Sequence, residues 1–185
     1  MQPVTTQRLI IRRLAEADLA DFLAYQTHPE VLRYMPLEPM SEERATQFIA
    51  KQATAEIGGQ GGYQAFALYH TGDARVIGEV GIYFHPEPES KGDIGWSLHP
   101  DYQGHGYATE AARVLLEYGF AQRSLRRITS VCDTRNPASF RLMERLGMRR
   151  EGHLLQSHLT RGVWHDEYLY ALLRDDWLVQ QSTRR

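Results

Sequence analysis

A chain of 185 residues, 42% apolar and 24% charged, has the composition of an ordinary globular protein and enough length to bury a core. Its formal net charge of -2, with no long basic block, argues against a nucleic-acid surface. No stretch approaches the roughly 20 apolar residues of a membrane span, and Met1 to Leu14, with Arg8, Arg12 and Arg13, lacks the apolar run of a secretion signal. The lone cysteine, Cys132, excludes an internal disulfide and suits a reducing cytoplasm. The histidines are scattered, without the i, i+4 pairing of a helical zinc motif, so no metal is expected.

In chain order, RLIIRRL (Arg8 to Leu14) predicts a strand. The helical spacing of Leu19, Phe22, Leu23, Val31 and Leu32 predicts a helix after it. Ser41 is a candidate N-cap, with Glu42 and Glu43 in the first turn, for a helix running to about Ile57. The glycines between Gly58 and Gly62 follow a helix and precede a strand, which reads as a connector rather than a phosphate loop. Three strands are expected at Tyr63 to His70, Arg75 to Phe84 and Asp93 to Pro100, the first two joined by a tight turn at TGDA. A helix over Tyr107 to Gln122, a strand RITSVCD, a helix in NPASFRLMERLG and two closing strands complete the chain. The sum is one α+β domain over residues 1–185, with a mostly antiparallel sheet, one strand–helix–strand crossover and helices on both faces.

The crossover carries the most informative segment. Gln103-Gly104-His105-Gly106-Tyr107-Ala108 sets flexible backbone directly before a helix, whose first N–H groups lack partners and carry the positive end of its dipole. Glycines there let the backbone wrap around an anion, so phosphate oxygens are the expected guest. A glycine-rich turn with a well-packed helix behind it explains the same residues. Ala108, Ala111 and Leu115 are expected to face inward, and Glu110, Arg113 and Glu117 to form a solvated face pairing among themselves.

These residues, with the preceding strand and Pro100, resemble the acetyl-CoA pyrophosphate loop of the GNAT acetyltransferase superfamily, Arg/Gln-x-x-Gly-x-Gly/Ala, met by Gln103, Gly106 and Ala108. Asn136-Pro137-Ala138-Ser139 followed by Glu144-Arg145-Leu146-Gly147-Met148 resembles the second signature. TQRLIIRRLAEADL and HDEYLYALL are similar to the ribosomal-protein N-acetyltransferase branch. The resemblance implies a splayed parallel strand pair, with acetyl-CoA lying against Ser97, Leu98 and His99, against the loop residues Gln103, Gly104, His105, Gly106, Tyr107 and Ala108, and against Asn136 and Ser139. The backbone N–H near Leu98 would polarise the thioester carbonyl. It also implies direct transfer to a primary amine, with a protein or peptide N-terminus favoured over a polyamine, amino acid derivative or antibiotic, and it allows a homodimer.

Three residues are candidates for proton transfer. Many family members have a tyrosine where this chain has Met143, which cannot donate a proton, so Ser139 is the nearest substitute. Asn136 and Pro137 read as an N-cap and a first-turn proline, and Ser139, on one face with Leu142, Met143 and Leu146, needs a partner, either that cap, a preceding carbonyl or the cofactor's sulfur region. Glu79, in a central strand, and His158, in a late strand, are candidate bases, against the plainer readings of an edge carboxylate and a surface histidine. Cys132 reads as a buried strand thiol rather than a nucleophile. The acceptor's breadth depends on Tyr25 to Met40 and on His85 to Lys91. The acidic stretch Glu87, Glu89 and Asp93 reads either as a solvated loop or as an attractor for a cationic acceptor. With the family tyrosine missing, an acyl-CoA-binding sensor without turnover is the reading from another class.

Overall fold

The computed structural model describes residues 1–35, 38–54, 61–86 and 90–183. The strands are β1 (Val4–Thr5), β2 (Leu9–Arg13), β3 (Tyr63–His70), β4 (Arg75–Phe84), β5 (Lys91–Leu98), β6 (Arg127–Asp133), β7 (Arg149–Thr160) and β8 (Val163–Leu173). The helices are α1 (Leu19–Gln26), α2 (Pro29–Leu32), α3 (Glu42–Thr54), α4 (Tyr107–Glu117), α5 (Pro137–Arg145) and α6 (Arg174–Thr183). The strands form a single sheet in the order β1-β2-β3-β4-β5-β6-β8-β7. Neighbours run antiparallel except β5 and β6, which are parallel and joined through α4.

Alternation along β3 explains how the two faces are filled. Ala65 and Ala67 pack with Phe22, Tyr25, Ala45 and Ile49 of α1 and α3. Phe66 and Leu68 join the larger cluster containing Ala111, Ala112 and Leu115 of α4 and Leu142 of α5. Strands covered on both faces read as nearly continuous apolar runs, as β3 and β4 do. Each fully buried Leu, Ile or Phe contributes about 1.5–3 kcal/mol.

Several boundaries differ from those expected. The first helix is two: α1 ends at Gln26 and α2 starts at Pro29, whose missing N–H and bias on His28 break the run. The His28 ring accepts from the Glu30 N–H at 3.2 Å and caps the new helix. Ser41 caps α3 through the Arg44 N–H at 3.3 Å. The expected end of that helix at Ile57, and the glycines Gly58 and Gly59, lie outside the described residues. β5 starts earlier than expected and stops at Leu98, because Pro100 opens a 3-10 turn. After Glu117 the helix widens into a π-turn over Tyr118–Gln122. The short β1 and the terminal α6 were not foreseen. No helix among the described residues is long and apolar enough to cross a membrane.

Candidate active site

The parallel pair holds only at Lys91↔Arg127, Gly92↔Ile128 and Asp93↔Thr129. Beyond that point β5 and β6 diverge, and a cavity of about 720 Å³ opens between them. Alternation of the ladders decides which backbone groups face it. The His85 N–H donates to Lys91 O and the His99 N–H to Ile77 O, so odd-numbered β5 residues bond β4 while Trp96 and Leu98 turn their amides to the fork. The Thr134 N–H donates to Asp166 O and the Arg174 N–H to Arg126 O, which leaves Val131 and Asp133 as the β6 residues facing the fork. Two unladdered strand edges thus oppose each other, suited to an extended guest bearing amides.

At one end the fork meets the start of α4. Gly104 has φ 78° and Gly106, the capping position, has φ 83°. A Cβ at Gly104 would meet nothing within 4 Å, and one at Gly106 only Arg8 Nη2 at 3.5 Å. Within the protein, glycine is therefore required here by backbone conformation and not by space. No side chain caps α4, and its first internal bond is from the Glu110 N–H to Gly106 O, so the preceding amides remain free for an anion. The Thr109 hydroxyl, on the cavity wall, is buried without a hydrogen-bond partner.

Glu110 is not on a solvated, self-paired face. It accepts from the Thr6 hydroxyl at 2.6 Å and from Arg8 Nε at 2.9 Å. Burial would raise its carboxyl, but these donors outweigh burial and hold it below its ordinary value. Arg8 also donates to the His105 carbonyl at 2.9 Å and lies 4.3 Å over the Tyr107 ring. The turn between β1 and β2 therefore clamps the loop, a contact that no local pattern announces.

At the inner end stands Glu79, 6% exposed and on the α1 face of the sheet opposite Ala67 and Ser97. Its carboxyl accepts from Gln26 Nε2 at 3.0 Å and, more weakly, from the Tyr25 hydroxyl at 3.5 Å. Burial pushes it up to about 7 despite these donors. The wall around it is made by Tyr63 and by Glu30, Val31, Tyr34 and Met35 of α2 and the turn after it. Burial raises the Tyr63 hydroxyl too. Ser97 approaches Met35 Sδ at 3.9 Å.

Of the other sequence-derived site residues, Ser97, Leu98, Gln103, Gly104, Gly106, Tyr107, Ala108, Asn136 and Ser139 line the same cavity. Gln103 donates its amide to the Leu98 carbonyl at 3.0 Å. His99 and His105 are outside the wall: the His99 ring accepts from the Asp101 N–H and packs on His28, and His105 leans on Tyr107. Asn136 Oδ1 accepts from the Ser139 N–H at 3.2 Å and caps α5. Ser139 is half-buried on the cavity wall near the Cys132 thiol, and it is its backbone N–H that meets the cap. Burial raises that thiol to about 11, so it stays protonated at neutral pH. His158 is not among the lining residues; both its ring nitrogens are buried and unbonded, each 3.6 Å from a carboxylate, of Asp133 and Glu167. Asp93 pairs with His85 at 2.7 Å and contacts Thr129 at the fork's base; Glu87 and Glu89 lie outside the described residues. Trp96 also lines the cavity, and the contacts of Arg8 with the loop and of Tyr25 and Gln26 with Glu79 join residues too far apart in sequence for spacing to pair them.

The sheet forks at its parallel pair, with uncapped helix amides at one end of the fork and a buried carboxyl at the other. The chain belongs to the GNAT acetyltransferases: residues 8–149 match the family model for the acetyltransferase (GNAT) domain. It is 34% identical to the uncharacterized N-acetyltransferase YnaD of Bacillus subtilis over 94% of this chain and 98% of that one. It is 28% identical to the [ribosomal protein uS5]-alanine N-acetyltransferase of Escherichia coli over 94% and 92%. A GNAT-family acetyltransferase structure from Bacillus anthracis superposes with a TM-score of 0.82 at 32% identity, covering 94% of this chain and 99% of that one. The protein is thus an N-acetyltransferase of a family whose acetyl donor is acetyl-CoA. The free α4 amides, the open strand edges and the unpartnered Thr109 hydroxyl all fit that donor.

Proposed function

We propose that this enzyme acetylates the α-amine of a protein or peptide N-terminus by direct attack within a ternary complex. The observation that carries the reading is a continuous cavity running from the start of α4 to Glu79, with unladdered backbone along both sides. Acetyl-CoA supplies an activated acetyl group on a thioester. The amides at Tyr107 and Ala108 hold its phosphates, and those of Trp96 and Leu98 bond its arm, with Leu98 N–H placed to stabilise charge on the carbonyl oxygen.

The acceptor amine must be neutral to attack. Glu79 is the base in this reading, supported by its place on the cavity wall and a carboxyl poised near 7. His158 is set aside because it does not line the cavity. Ser139, on the cavity wall, donates a hydrogen bond to the departing thiolate, which takes its proton from solvent, since Met143 is fully buried and carries no proton. The ribosomal-protein acetyltransferase of Escherichia coli supports a protein N-terminus as acceptor, and the lone cysteine a cytoplasmic setting.

The test incubates the protein with acetyl-CoA and either N-terminal peptides, spermidine or free amino acids, following CoA release and the acceptor's mass. Peptide acetylation is expected. CoA release with small amines alone would overturn the acceptor, and a thermal shift on acetyl-CoA without release to any amine would leave a sensor. Gly104→Glu with Gly106→Glu should abolish the shift.

A further inference from the structure

Two adjacent residues on a helix point about 100° apart and do not ordinarily serve one partner. Tyr25 and Gln26 are an exception. Gln26 is the last residue of α1, and the chain turns away at Thr27 and His28 before Pro29 restarts the helix. Both side chains reach the same carboxyl: Gln26 Nε2 donates to Oε1 at 3.0 Å and the Tyr25 hydroxyl lies 3.5 Å from Oε2. Tyr25 is 0% exposed, Gln26 5% and Glu79 6%, so on the α1 side the two donors shield the carboxyl from bulk water. A buried glutamine amide is costly unless bonded, and with Ala67 and Ser97 as the strand neighbours of Glu79, the carboxyl is the partner provided.

We infer that Tyr25 and Gln26 are positioning residues, a pair of donors at the C-terminal end of α1 that orients the Glu79 carboxylate toward the acceptor amine and sets its proton affinity. The inference rests on Glu79 being the base. Both donors favour the ionised carboxyl and oppose the burial that raises it. The other titratable group against Glu79 is Tyr63 of β3, a hydroxyl that burial keeps protonated. Glu30 and Asp133 lie farther round the same cavity, and Asp133 is neutralised by Arg135 at 2.5 Å. With Tyr25 and Gln26 in place the base is ionised near neutral pH. Without either donor the balance tips toward the protonated acid.

The experiment measures kcat/KM against pH for the parent, Tyr25→Phe, Gln26→Leu and Glu79→Gln, with thermal melts as a check of folding. Tyr25→Phe keeps the packing and removes only the hydroxyl. The acid limb should move upward by about one to two pH units in Gln26→Leu and by less in Tyr25→Phe, as expected for losing a donor to a charged acceptor. Activity should recover at alkaline pH. A uniform loss at every pH, with the limb unmoved while Glu79→Gln is inactive, would overturn the positioning role and leave Glu79 as base. An unchanged profile in Glu79→Gln would instead remove Glu79 from the reaction, and the inference with it. A titration of the Glu79 carboxyl by NMR reads the same shift without turnover, and an unshifted titration in both variants would also overturn it.

Discussion

Replacing Glu79 with glutamine should stabilise the protein, chiefly at neutral to alkaline pH. The carboxyl sits at about 7 in the folded chain against an ordinary 4.5, because burial disfavours its charge. Below 4.5 both states hold the proton and Glu79→Gln is nearly silent. Between 4.5 and about 7 the folded chain keeps a proton that the unfolded chain has released, so the parent loses stability as pH rises. Above 7 the loss levels off. At 1.36 kcal/mol per unit of pKa difference it amounts to about 3 kcal/mol. For a chain of this size that is roughly 6–12 °C in Tm. Paired thermal melts of parent and variant at pH 5 and pH 8.5 supply the assay. The variant should gain far more at pH 8.5 than at pH 5, where only about a quarter of the loss has set in. An equal difference at both pH values, or a variant less stable at pH 8.5, would refute the claim that a buried charge is being carried for function.

Other expectations follow from the donor end of the fork. Arg8→Ala removes the clamp on the His105 carbonyl, Tyr107 and Glu110, and should weaken acetyl-CoA binding on the order of tenfold, read by calorimetry, with little change in acceptor KM. Gly106→Ala places a Cβ at φ 83° and should cost about 1–2 kcal/mol of stability in denaturant titration, from conformation and not from a clash. Cys132, held protonated at about 11 and 7% exposed, should resist alkylation by iodoacetamide at pH 7.5 in the folded state and react at once in denaturant.

The α+β layout, the crossover and its glycine loop, and the caps at Ser41 and Asn136 were legible in the sequence, because periodicity, capping and positive φ are properties of a few neighbouring residues. Glu79 drew notice for the same local reason, a carboxyl inside an apolar strand. The surroundings of these groups were not legible. Glu110 looked solvent-facing until Arg8 and Thr6 arrived from about a hundred positions earlier. Spacing could not tell that Glu79 lines the cavity while His158 does not. Nor could spacing assign Trp96 and Leu98 to the fork and Ser97 to the ladder. That depends on the register against β4, which is fixed when whole strands pair. Local chemistry is written in consecutive residues; the proton affinity of a buried group and the direction of an amide are set by neighbours that only folding supplies.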